Sequence, residues 1–163
     1  MTLEDSRLHG NDGKNTLAPL RKRYVAYCGQ CARIRGLKMN SFNFIIGLAL
    51  AGALGTLARY AVGIVSIAAF GTSYPYGTFL VNVVGSFLFG LLAGLPRLSA
   101  EWQIILLTGF LGGFTTFSAF AFENYQLLGQ HRYLAFSVHV LGQNVLGIAA
   151  VLAGFVLAAW CVK

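Results

Sequence analysis

Four apolar stretches dominate this chain, at residues 42–66, 77–95, 102–125 and 133–160. Each can cross the roughly 30 Å of bilayer hydrocarbon, which takes about 20 residues of helix. Inside hydrocarbon every peptide group must find its partner within the protein, so such segments form helices. The spacing therefore predicts an all-α integral membrane protein with four transmembrane helices in one domain. Charge agrees with this reading: only 10% of the 163 residues are charged and the mean hydropathy is +0.67, outside the usual range of soluble domains.

The third stretch is the least at home in a membrane, because its middle reads GGFTTFSAFAFE over residues 112–123. Adjacent glycines weaken a helix through backbone entropy, and Thr and Ser hydroxyls compete for its carbonyls. The expectation is a helix broken at membrane depth. Irregular backbone survives there only where protein buries it or where it lines a wet cavity, so the break points to an ion or substrate site. Phe110, Phe114, Phe117 and Phe120 recur at helical spacing. A stripe of this kind usually packs, yet phenyl rings also present electropositive edges that attract a small anion. Together with the hydroxyls of Thr115, Thr116 and Ser118, they can replace part of the water shell of a small hard anion. Glu123 is expected near the membrane surface, as a capping or interfacial carboxylate.

The other spans carry few polar groups, which makes each one informative. Gly47, Ala51 and Gly55 give the first span a small-residue face for close helix approach. Arg59 follows near the expected end of that span, where it either snorkels to the interface or serves a function inside. In the second span Asn82 precedes Ser86, Gly90 and Gly94 at four-residue spacing. Its amide either ties helices together or turns N–H groups towards an anion. The fourth span groups Ser137, His139, Gln143 and Asn144, which are expected to face protein or water. The sequence holds no metal cluster, no nucleophile with its base, no paired carboxylates and no phosphate loop, so an enzyme is not expected.

The formal net charge is +7, and its excess sits ahead of the first span. Arg7, Lys14, Arg21, Lys22, Arg23, Arg33, Arg35 and Lys38 outnumber Glu4, Asp5 and Asp12. Such a tail favours a cytoplasmic N-terminus, and it shows no nucleic-acid-binding module. Residues 1–38 are read as a basic, disordered extension and 39–163 as the membrane domain. Met39 opens MNSFNFIIGLALAGALGTLARY and makes a natural start, so translation is expected to begin there. Cys28 and Cys31 have the spacing of half a zinc or redox site, but no second pair completes it, and they are read as incidental thiols.

GALGTLARY in the first span, GTFLVNVVGSFLFG in the second and GGFTTFSAFAFE in the third resemble the Fluc (CrcB) family of fluoride ion channels. The resemblance covers the chain from about Met39 to Lys163, and the third motif is the most specific. It implies an antiparallel, dual-topology homodimer in the bacterial inner membrane, with two fluoride pores and a structural Na⁺ between the subunits. By match to its motifs, Phe117 and Phe120 resemble the paired phenylalanines of the fluoride path. Asn82 corresponds to its asparagine, Arg59 to its first-span arginine and Glu123 to the acidic residue after the phenylalanines. Thr116 and Ser118 would add hydroxyls to the pore, and the backbone carbonyls of Gly112 and Thr115 would hold Na⁺. Many relatives have Thr where this chain has Ala119. On the fourth span His139 and Gln143 stand nearest the family's pore-facing positions.

Without the tail, Lys38, Arg97 and Lys163 on one side face Arg59 and Arg132 nearer the other, a near balance that suits insertion in both orientations. The tail would oppose it. The alternative class is a small multidrug-type dual-topology transporter, which depends on a first-span carboxylate where this chain has Arg59. A membrane scaffold would explain the glycine faces but not the broken third span.

Overall fold

The computed structural model describes residues 40–96 and 98–161, and the N-terminal extension with Cys28, Cys31 and Met39 lies outside the described residues. Four spans are present: Ser41–Phe70, Tyr76–Gly94, Ala100–Gly129 and Tyr133–Trp160, all long and apolar enough to cross a membrane. Helices α1 (Ser41–Phe70) and α2 (Tyr76–Gly94) are continuous. The third span is assembled from α3 (Ala100–Ile104), a wider π-helical stretch (Ile105–Phe110), α4 (Leu111–Phe114) and α5 (Phe117–Gly129). Helix α6 (Tyr133–Trp160) completes the bundle. Among the described residues there is no strand.

The third span is the most enclosed of the four. Its first half packs on α1, while α2 packs along α6. The shared core is small, with Val81, Leu107, Leu111 and Phe114 at its centre and Ala58, Val62 and Phe110 around it. Large apolar side chains such as Leu50, Ile64, Leu134 and Leu152 instead cover the outer surface. That is the expected inversion for a protein dissolved in lipid, where burial of apolar groups between helices brings little gain over contact with acyl chains.

Close approach of backbones holds the spans together. A Cβ on Gly90 would collide with the Val151 carbonyl, and one on Gly154 with the Phe87 carbonyl, so α2 and α6 touch main chain to main chain. Gly55 and Gly113 do the same between α1 and the third span, against Phe110 and Gly52 carbonyls. Enlarging Gly154 to Leu is expected to cost about 1–3 kcal/mol or more, because the obstacle is backbone that cannot rotate away. A lower unfolding temperature and loss of the monodisperse peak in detergent would show it.

The break in the third span falls within residues 112–123, as expected, and within that stretch it lies at the threonines rather than at the glycines. Gly112 and Gly113 are helical, and the chain becomes extended at Thr115 (ψ 157°) and Thr116 (φ −152°, ψ 120°). Local hydrogen bonding is the reason. Thr115 Oγ1 donates back to the Leu111 carbonyl at 2.8 Å, which ends α4, and Thr116 Oγ1 accepts from the Ala119 N–H at 3.2 Å, which starts α5. The glycines serve closeness rather than fracture: Gly113 admits the α1 backbone.

Candidate functional site

Asn82 lies beside the break and replaces the missing helical partners. Its Oδ1 accepts from the Thr116 N–H at 2.7 Å and its Nδ2 donates to the Thr116 carbonyl at 2.9 Å. The primary amide thereby pairs with one residue's backbone as a neighbouring strand would. The reading in which this asparagine ties helices together holds, and of the amide's two N–H donors one is spent on Thr116. The other is available at the wall of a cavity of about 400 Å³. Thr115, Thr116, Phe117, Gln143 and Asn144 also line that cavity.

The break changes the backbone as well. In an unbroken helix the N–H groups of Thr116 and Ala119 would satisfy the carbonyls of Gly112 and Thr115. Here those two N–H groups are taken by Asn82 Oδ1 and Thr116 Oγ1. The two carbonyls therefore lose their regular donors, and Gly112 lies on an open face where an added Cβ would meet nothing.

A second cavity of about 300 Å³ lies against the loop between α1 and α2. Thr78, Glu123, Tyr74, Gln126 and Arg132 are among its lining residues. Thr78 stands one turn before Asn82 and donates from Oγ1 to Glu123 Oε1 at 2.6 Å. Glu123 is thus drawn into the bundle rather than capping a helix at its surface. Tyr74, in the loop, has its phenol held above the ordinary pKa by burial first, then by Tyr76 and Glu123.

Phe120 and His139 stand between the two cavities. His139 is fully buried and Phe120 is 7% exposed, and their rings stack with centroids 5.1 Å apart. Phe117 leans against Phe120 at 5.6 Å and 50°, yet is itself 78% exposed on the single chain. The sequence thus places Asn82, Thr116, Phe117 and Gln143 at one cavity, Glu123 at the other, and Phe120 and His139 between them. Ser118 Oγ lies 3.2 Å from Thr116 Oγ1. Ser137 and Asn144 are exposed, and Asn144 Nδ2 bonds back to the Val140 carbonyl.

Arg59 is apart from this group. It lines neither cavity, and α1 continues to Phe70, so Arg59 stands roughly 16 Å of helix short of the C-terminal end at 1.5 Å per residue. It is not the end-of-span residue expected. The sequence reading missed Thr78; its signal was a hydroxyl four residues before Asn82 on the same helical face.

Residues 46–155 match the family model "CrcB-like protein, Camphor Resistance (CrcB)". Curated relatives agree with it. The chain is 50% identical over 114 residues to the "Fluoride-specific ion channel FluC" of Solidesulfovibrio magneticus, covering 68% of this chain and 91% of that protein. It is 46% identical to the protein of that name from Nitrosococcus oceani, with the same coverage. The Chloroflexus aurantiacus protein so named is 40% identical over 122 residues, covering 72% of this chain and 97% of its own length. A family match across most of the membrane-spanning part, and relatives covered almost end to end, make this multi-pass membrane protein a member of the CrcB family.

Proposed function

We propose that this chain is a fluoride-selective channel that lets fluoride leave the bacterial cytoplasm passively, as an antiparallel homodimer in the cell membrane. The observation that carries the reading is the extended Thr115–Thr116 segment, held by Asn82, beside a row of donors and ring edges. Residues 39–163 would form the channel. Relatives named as fluoride channels support the choice of ion.

The physical task is to strip water from a small anion and still release it. Asn82 offers its free N–H, the hydrogen-bonded Thr116–Ser118 hydroxyl pair offers one O–H, and Phe117 and Phe120 offer ring edges without a full positive charge. Gln143 adds a neutral amide at the same cavity, and Thr78 shares the helix face that leads towards Glu123. Arg59 would act on the field along the route from outside the two cavities. A route narrow enough to replace fluoride's water shell would disfavour larger halides.

The residues present fit a structural Na⁺. Two carbonyls without their helical donors are hard oxygen ligands, and an open Gly112 face leaves room for a second subunit to bring its own pair. A Na⁺ held by Gly112 and Thr115 would tie the subunits together at the break. The test is fluoride efflux from liposomes, with chloride measured in parallel, in Na⁺ and in Na⁺-free buffer. Fast fluoride efflux, no chloride efflux and weaker dimers or slower flux after Na⁺ removal are expected. Folded, dimeric protein that moves no fluoride would overturn the reading.

A further inference from the structure

His139 has no place in a purely apolar seam. It is fully buried in the first quarter of a membrane span, and neither ring nitrogen has a hydrogen-bond partner. Buried polar atoms are almost always paired, so two orphaned nitrogens on one ring require an explanation. Glu123 supplies half of it. Its Oε2 also lacks a hydrogen-bond partner and lies 3.8 Å from His139 Nε2. That gap is too long for a hydrogen bond and too short to admit a water between the two atoms. The pair is one small movement from a hydrogen bond that a single proton would make.

We infer that His139 and Glu123 form a single proton-binding site in the wall of the anion route, whose occupation raises fluoride passage. The inference rests on the channel reading above and concerns the regulation of that same site. The charge arithmetic sets its direction. Without the shared proton the pair is a neutral imidazole and a carboxylate, a net charge of −1 beside a route for anions. With the proton bound the net charge is zero, whichever partner carries it. Acidification therefore removes a repulsive charge from the path, and fluoride flux rises.

The other groups facing this site leave the assignment to the pair. From the loop, the Tyr74 ring lies 5.4 Å from His139, centroid to centroid, and its phenol titrates above the ordinary tyrosine value, away from neutral pH. Tyr76 stands behind Tyr74 at 4.9 Å. From α2 come the Phe79 ring, edge-on at 6.3 Å, and Thr78, whose hydroxyl is committed to the other oxygen of Glu123. From α5 the neighbour besides Glu123 is the stacked Phe120. Arg132 is the basic residue lining the cavity that Glu123 also lines.

The test is the pH profile of fluoride efflux between about pH 8 and pH 5.5, the range in which histidine can change charge, with protein-free vesicles setting the baseline for leak of HF. Wild type is expected to gain at least about fivefold in flux on acidification, and H139Y and H139Q less than about twofold, since neither side chain titrates in that range. E123Q, which lacks the carboxylate, is expected to conduct at pH 8 at the level wild type reaches in acid. A flat wild-type profile, or a rise retained in both His139 variants, overturns the inference while leaving the channel reading intact.

An independent measurement does not need conduction. In protein labelled with ¹⁵N at its 3 histidines, the resonance absent from H139Q reports His139 directly. Its titration midpoint is expected to move in E123Q; an unchanged midpoint overturns the shared site. No flux at any pH would overturn the channel reading and the regulatory half of the inference, with the proton site still decided by the resonance.

Discussion

Asn82→Asp is expected to reduce fluoride efflux by about two orders of magnitude, or about 2.7 kcal/mol on the barrier, while the dimer still assembles. The substitution preserves shape almost atom for atom. Asp can still accept from the Thr116 N–H, so the extended segment keeps one of its two anchors. It cannot donate to the Thr116 carbonyl, and it turns a negative charge towards the cavity that Thr116, Phe117 and Gln143 line. A carboxylate in place of a donor repels the permeating anion at the point where the anion sheds water. Liposome efflux beside size-exclusion chromatography distinguishes this outcome from misfolding, and flux within threefold of wild type would remove Asn82 from the route.

Phe120→Leu is expected to lower flux by at least about tenfold with a stability change below about 1.5 kcal/mol, the usual range for hydrophobic exchanges of similar volume. Phe120 touches both Phe117 and His139 through its ring. Leucine keeps much of the bulk in this buried position but has no quadrupole, so it offers an anion only hydrocarbon. If the ring served packing alone, the melting temperature and flux would move together; a large loss of flux with a small thermal shift identifies the ring edge as the working part. The same comparison at Phe117, whose ring is mostly exposed on one chain, should show an even smaller effect on subunit stability.

The four spans were readable because hydrocarbon is a simple solvent: length and apolarity decide what crosses it. Termini were read less well. Helix α1 begins at Ser41 and runs on to Phe70, since Ile67, Ala68, Ala69 and Phe70 continue the apolar run that the reading had ended at Ser66. That extension is why Arg59 stands deeper than expected. The break was visible in GGFTTFSAFAFE, but which of its residues leave the helix was not, because glycine propensity is a local quantity and the winning effects come from elsewhere. Thr115 and Thr116 leave the helix because hydroxyls and a distant amide take over its hydrogen bonds. Spacing within the third span carries no trace of Asn82, which lies 34 residues earlier.

Grouping of the polar side chains was legible in part. Asn82, Thr116 and Gln143 meet at one cavity, as their presence inside apolar helices suggested. The link from Thr78 to Glu123 was not foreseen, because a threonine in a membrane helix ordinarily bonds its own preceding turn. Nothing in the periodicity of α6 shows that His139 faces a carboxylate on another span. Such pairs belong to the packing of three elements and become apparent only when the helices are placed.

The double hydrogen bond from Asn82 to Thr116 would, on the channel reading, join two chemistries in one side chain. By occupying the Thr116 N–H, that amide withholds it from Gly112, and so decides whether a carbonyl a full turn away is free to bind a cation. Anion selectivity and cation ligation would look like separate traits in a mutational survey. On the channel reading both would depend on this one side chain, so a substitution that loses the acceptor at position 82 is expected to disturb the two together, whereas Asn82→Asp, which keeps it, separates them.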